Sequence, residues 1–392
     1  MVDKTNLFEA SNQWASRPPD QRFWTLEEMR QACLNYRNQS VEVTSRLSNM
    51  RLDGSSGGLQ LIDNENDKSM DFTHFSFGRF SQMLGTPADY MRSLPSDLAA
   101  ECMNHSLSEK ADDKDALLLV AQNGRTHIRA MTSTRYARIW NEELIEQLQV
   151  LTERGFVVPP ARPASGNDPR AREAAEEDCL KSAERLGGLG ITPGDLIAPA
   201  GLYASEKDMF CFMVNEDHGI EVPGKDNALY RGFFCENSEV GDRSLKLTMF
   251  LYDAVCGNHI VWGASHVHRF KRIHIGDNAR QEAWQGIQNS TTQYIESSTA
   301  DDEHMIKNAV EFRLGKDRDA VVDYLVRESI GTKGQLGSAY DLAEEHPEDG
   351  HKGPETAWGM VQGLTRLSQK QPNTDKRVVI DESASKILEL VA

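Results

Sequence analysis

Long apolar runs are missing from this chain. No stretch approaches the roughly 20 apolar residues that a membrane-spanning helix requires, and the opening MVDKTNLFEASNQW has no basic head followed by an apolar run. A cytoplasmic protein with no membrane partner is therefore expected. Paired cysteines are missing too: Cys33, Cys102, Cys179, Cys211, Cys235 and Cys256 are scattered, with no CxxC and no regular spacing. That argues against a disulfide framework or zinc ribbon, and for small buried hydrophobes in a reducing compartment. The nucleotide fingerprints fail as well. The nearest approach to GxxxxGK[ST] is GIEVPGKD, ending at Asp226, and GGLGITPG lacks both the GxGxxG spacing and a preceding strand. HExxH is absent, and GSSGG at Gly54 to Gly58 matches GxSxG without the strand-turn-helix setting that gives it meaning. Basic charge is in deficit, 43 basic against 60 acidic residues for a net charge of -17. Such a balance favours solubility and repels nucleic acid at long range, so any nucleic-acid reading must locate a local basic patch.

What is present is enough for a sizeable core: 392 residues, 39% of them hydrophobic, support two or three subdomains. The patterning predicts an α+β fold, with a mostly antiparallel central sheet flanked by helices and helical N-terminal and C-terminal regions. LEEMRQACLNY reads as a helix capped by Thr25, and SNMRLDGSSGGLQLIDNEND as two strand fragments around a Gly/Ser turn. Helical periodicity then runs from Asp71 to Leu107, with Pro87 and Pro95 at helix starts. ALLLVAQNGRTHIRAMTS predicts a hairpin turning at Asn123-Gly124, and IWNEELIEQLQVL a helix with Ile139, Leu144, Ile145, Leu148 and Leu151 on one face. The strands continue through DLIAPAGLYAS, DMFCFMVNED, ALYRGFFCENSEVG, SLKLTMFLYDAVCGNHIVWG and HVHRFKRIHIG. In SLKLTMFLY, Leu245, Leu247, Met249 and Leu251 alternate with Lys246, Thr248, Phe250 and Tyr252, the period of a strand with one face on the core; a helical reading of that segment stays open. Helices return after Gly276, ending in a short tail, SASKILELV. The expected divisions are a mainly helical region over 1–110, a hairpin and helix joining the central sheet over 111–158, a Pro/Ala/Glu-rich insertion or linker over 159–190, a strand-rich core over 191–276 and an acidic helical region over 277–392.

Three features could carry chemistry. Cys256, His259, His266, His268 and His274 fall inside nineteen residues, and thiolate and imidazole are zinc ligands, yet the spacing fits no standard zinc module. No cofactor is expected, with zinc on Cys256, His259, His266 and His268 as the alternative. Second, RTHIRAMTSTRYARIW, carrying Arg125, Arg129, Arg135, Tyr136 and Arg138, has no acid, and neither has the run from Ser265 to Ile275 with Arg269, Lys271, Arg272 and His274. Two basic, aromatic-bearing strands are what a phosphate-tracking groove needs; ordinary solvated faces are the plain alternative. Third, NSEVGDRS places Asn237, Glu239, Gly241 and Arg243 between strands, as a capped polar turn or a substrate-positioning loop. A lone Glu239 without a paired carboxylate favours the turn.

At these residues the chain resembles the phage and plasmid family catalogued as domain of unknown function 932. FGRFSQMLGTPADYMRSLPSDLAAECMNHSL, MTSTRYARIWNEELIEQL, RGFFCENSEVGDRSLKLTMFLYDAVCGNHIVWGA with the basic run after it, and TAWGMVQGLTRL carry the likeness, from about Phe75 to Leu367. The family's Asn-Ser-Glu-x-Gly, Cys-x-Asn and basic-run-plus-His fall on Asn237 to Gly241, Cys256 to Asn258, and Arg269 to His274. His259 departs from it, standing where many relatives carry another residue. The resemblance implies an accessory protein of bacteriophages, plasmids and other mobile elements, near anti-restriction and DNA-processing genes.

The leading expectation is a binding protein for single-stranded DNA, with annealing or recombination as its setting and a homo-oligomer or ring as its assembly. An inhibitor of a host defence protein, using the acidic surface to mimic DNA, is the rival. A metal-dependent enzyme acting on nucleic acid comes third; binding is expected over catalysis.

Overall fold

The computed structural model describes residues 21–23, 25–55, 58–110, 114–158, 162–163, 196–198, 201–221, 228–253, 258–261, 270–345, 353–371 and 373–391. The fold is α+β, built on two mostly antiparallel sheets.

The first sheet comes from the N-terminal third. After β1 (Gln21–Phe23) and α1 (Leu26–Asn38) run β2 (Ser40–Arg46), β3 (Met50–Asp53), β4 (Gln60–Asp63) and β5 (Lys68–Phe72). Helices α2 (His74–Leu84), α3 (Ala88–Ser93) and α4 (Ser96–Lys110) precede the hairpin of β6 (Asp115–Asn123) and β7 (Arg125–Ser133). Thr25 caps α1 as expected, its hydroxyl accepting from Glu28 N at 3.0 Å. Thr73 and Ser76 form a reciprocal capping box on α2, which Gly85 ends in the left-handed region at φ 68°. The expected hairpin forms, with Gly124 at φ 72°. Strand order is β2-β6-β7-β5-β4-β3, with β5 and β7 parallel and every other pair antiparallel. Because β2 and β3 are opposite edges yet only Leu47–Asn49 separates them, the sheet has to curl. Ser45 Oγ donates to the buried Asp63 carboxylate at 2.8 Å across that closure. Phe72, Phe77, Phe80, Met103, Leu118 and Ile128 fill the space between the curled sheet and α2 to α4. Of the region 111–158, expected to join the central sheet as a hairpin and helix, the hairpin departs from that expectation: β6 and β7 form the middle of this first sheet, since β2 and β5 pair on either side of them.

The second sheet is the strand-rich core. It follows α5 (Asn141–Gln149) and takes β8 (Phe156–Val157), β11 (Leu202–Ala204), β12 (Met209–Ile220), β13 (Leu229–Asn237), β14 (Leu245–Asp253), β15 (Asn258–Val261) and β16 (Phe270–Arg272), while β9 (Arg162–Pro163) and β10 (Leu196–Ala198) pair separately. The order is β1-β11-β12-β13-β14-β15, with β8 also on β12 and β16 also on β14. Met209, Cys211, Met213, Phe233, Cys235, Leu247 and Met249 pack one face against α1, α5 and α6 (Ala279–Glu296). The opposite face departs from the sequence pattern: Phe250 and Tyr252, expected on the outer side of β14, are buried with Phe210, Phe212 and Phe234 against Val378. That residue belongs to α11 (Thr374–Glu389), far longer than the short tail read from SASKILELV. Between them lie α7 (Ala300–Glu311), α8 (Arg318–Arg327), α9 (Lys333–Glu345) and α10 (Ala357–Gln369), packed with α11 in one apolar cluster.

Cys33, Cys211 and Cys235 are buried free thiols and Cys102 is half-buried. Cys179 lies outside the described residues, as does the expected insertion over 159–190 except for 162–163. Among the described residues no helix is long and apolar enough to cross a membrane.

Candidate nucleic-acid interface

Alternation along β7 would place Arg125, His127 and Arg129 on one face. The ladder breaks this: Val120 pairs with Ile128 but the preceding Leu119 pairs with Ala130, so Arg129 is the extra residue of a β-bulge. Bulges re-aim side chains, and this one turns Arg129 inward, to 6% exposure. Its guanidinium donates to Glu239 Oε2 at 3.0 Å and to Ser40 Oγ at 3.1 Å. Glu239, 2% exposed, accepts from the backbone N of Asn141 at 2.8 Å through its other oxygen, at the N-terminus of α5 where the helix dipole favours negative charge. Arg138 is also buried. It bonds Glu42 at 2.8 Å and the Glu239 carbonyl oxygen, and lies over the rings of Tyr136 and Trp140.

The Asn237-to-Arg243 segment is thus a joint between the two sheets, the capped turn that the sequence favoured. Asn237 Nδ2 donates to Ile139 O at 2.9 Å and Asn141 Oδ1 at 2.8 Å. Ser238 Oγ donates to Lys207 O at 2.7 Å, and Ser238 O accepts from Tyr136 Oη at 2.8 Å. Gly241 is required by its φ of 83°, which strains a residue with a side chain, and a Cβ there would also crowd Thr132 at 3.2 Å. Arg79 of α2 donates to its carbonyl at 2.9 Å. Arg243 bridges two buried carboxylates, Glu236 at 3.1 Å and Asp208 at 3.2 Å. A cleft of about 290 Å³ opens beside the joint, lined by His74, Phe75, Arg79, Arg92, Lys207 and Asp242 among others. Its cations are matched: Arg92 with Asp89, Arg79 with Asp242, and Lys207 with Asp242 and Asp375.

Seen from outside, the two acid-free runs meet. Tyr136 and Ile275 form an antiparallel bridge, Ala137 N donates to His274 O at 2.9 Å, and the Tyr136 and His274 rings stack 5.0 Å apart with 3° between their planes. His274 is 4% exposed. Burial, with Arg138 and Arg272 nearby, pulls its pKa down to about 4, so the ring is neutral at pH 7. With His274 turned in, Lys271, Ile273 and Ile275 face solvent, and Arg135 is exposed on the adjoining segment. Among the described residues neither Arg135 nor Lys271 is in an ion pair, whereas Arg272 is held by Glu282 at 2.9 Å.

No family model, curated protein or solved structure matches the chain. The nine residues expected to bind nucleic acid therefore sort by geometry alone. Arg135 and Lys271 share an outer ridge; Tyr136, His274 and Arg272 support it from behind; Arg129 and Arg138 serve the joint. Arg125 is exposed at the hairpin tip, roughly 25 Å along β7 from the ridge at 3.3 Å per residue. Arg269 lies outside the described residues, with Cys256, His266 and His268, while Asn258 and His259 fall on β15. Among the described residues no three His, Cys, Asp or Glu stand together as metal ligands would. Sequence reading missed Arg79, the adjacent Lys207 and Asp208, and Glu236, which come from three separate segments and meet through tertiary contacts. It also missed Ile273 and Ile275, though the alternation of KRIHI, with a histidine inside, held that signal.

Proposed function

We propose that the protein binds single-stranded DNA over a short ridge, as an accessory protein of the kind phages and mobile elements carry. The observation that carries this reading is the pairing, at Tyr136 and Ile275, of two acid-free segments well over a hundred residues apart, each of which exposes a cation, Arg135 on one and Lys271 on the other. A ridge of two or three phosphate contacts differs from a long groove in a measurable way. Counterion release contributes a slope of about -0.7 per contact on a single strand, so affinity should fall about tenfold between 50 and 200 mM salt, where a long groove would lose far more. The remaining acidic surface opposes association at long range.

Fluorescence anisotropy with a labelled 30-nucleotide oligothymidylate at those two salt concentrations tests it. Binding at 50 mM salt that weakens about tenfold at 200 mM, and that weakens at least fivefold in the Arg135→Ala, Lys271→Ala double variant, supports the reading. No binding at low salt, or binding indifferent to both substitutions, removes it.

A further inference from the structure

The ridge exposes more than charge. Ile273 is 50% exposed and Ile275 47%, and no other two exposed large apolar residues among those described lie within two positions of each other in sequence. Their outward direction is fixed from behind. His274 stacks under Tyr136, Tyr136 is tied to Ser238 O, and Ala137 N holds the His274 carbonyl. Turning the isoleucines in would turn His274 out and break the stack. Two exposed cations stand near them along the chain and across the bridge: Lys271, two residues before Ile273, and Arg135, next to Tyr136, the residue bridged to Ile275. An aliphatic pair with cations near it is complementary to a polyanion that also offers apolar faces.

Resting on the reading above, we infer that Ile273 and Ile275 are the base-contacting element of the ridge, wedged against the unstacked base faces of a strand whose phosphates lie on Arg135 and Lys271. Aliphatic side chains serve as such wedges between bases elsewhere. In a duplex the faces are already stacked and reaching them costs unstacking, so this contact selects single strands. The two kinds of contact also separate by salt: phosphate contacts set the slope of affinity against salt, and apolar contacts set the affinity that persists at high salt.

The test compares the oligothymidylate with a 30-base-pair duplex, each titrated at four salt concentrations, for the wild type, Ile273→Ser with Ile275→Ser, and Ile273→Phe with Ile275→Phe. The serine variant is expected to bind the single strand about tenfold more weakly with an unchanged salt slope. The phenylalanine variant should bind it several-fold more tightly, because aromatic faces stack on bases better than aliphatic ones; a gain cannot arise from misfolding. If the wild type binds neither oligonucleotide, both this inference and the reading beneath it fall. If the wild type binds the single strand but both variants bind it equally well, or the duplex is preferred, the base-contact assignment alone falls.

Discussion

Arg129 and Arg135 stand six residues apart in one acid-free run, and they do opposite things. Arg129, re-aimed by the bulge, is spent on Glu239 inside the joint; Arg135, just past the end of β7, faces water. Arg138 and Lys271 repeat the contrast between buried and exposed. A run of like charge in sequence is therefore not a patch of like charge in space, because strand alternation and bulges decide which members reach the surface. The joint and the ridge should also respond to substitution in different currencies, one in stability and the other in affinity.

The largest effect is expected at the joint. Arg129→Ala leaves the Glu239 carboxylate buried without its cation, a change that costs about 3–5 kcal/mol, read as a lowered midpoint in urea unfolding. Arg129→Met with Glu239→Met should recover only part of that. The Asn141 amide loses its acceptor and Ser40 its donor in the double variant. A single variant as stable as the wild type would mean that the joint is not held by this pair.

A second buried pair is looser. Asp381 on α11 sits 3.8 Å from Arg377, whose guanidinium also bonds Tyr203 Oη at 2.7 Å. Burial pushes the Asp381 carboxyl up to about 7, with Arg377 and Ser368 opposing the rise and Glu382 adding to it. A carboxyl with a raised folded pKa contributes stability below its unfolded pKa near 4, and loses it as pH rises through about 7. At about 1.36 kcal/mol per pKa unit the loss is about 4 kcal/mol at most. Asp381→Asn should remove that slope between pH 4 and 8 in urea unfolding; equal slopes in the two proteins would refute it.

His274, beneath the ridge, has the opposite sign. Its folded pKa is depressed, so its contribution is present above pH 6.5 and lost as pH falls through about 4, about 3 kcal/mol at most. Exchange for phenylalanine keeps a ring against Tyr136 and should flatten stability over that window. Falling pH therefore costs stability through the histidine beneath the ridge, and pH rising to about 7 costs it through the carboxyl on α11.

These contrasts explain what the sequence could tell. The β6–β7 hairpin was legible because Asn123-Gly124 is a local turn signal, and α1 because Thr25 caps it locally. The face of β14 bearing Phe250 and Tyr252 was misread because its cover, α11, lies over a hundred residues away. Arg129 was assigned to a surface because a bulge depends on the partner strand, which alternation within β7 does not encode. The joint residues were visible as NSEVGDRS, and so was Arg243, which pairs with Glu236; the cation that neutralises Glu239 was not, since Arg129 comes from another segment of the chain.

The smallest effects belong to the exposed cations, and there the contrast is sharpest. Arg135→Ala and Lys271→Ala remove side chains that are exposed and, among the described residues, outside any ion pair, so unfolding free energy should stay within about 0.5 kcal/mol of the wild type. Arg125→Ala should be equally harmless to stability. Because Arg125 lies roughly 25 Å from the ridge, it should also leave oligothymidylate affinity within twofold, where the ridge pair loses at least fivefold. If Arg125→Ala weakens binding as much as the ridge substitutions do, the strand tracks the whole length of β7 and the footprint is a groove after all. If all three are silent in both assays, basic residues of these two runs act only through the joint, and their surface members merely solvate it.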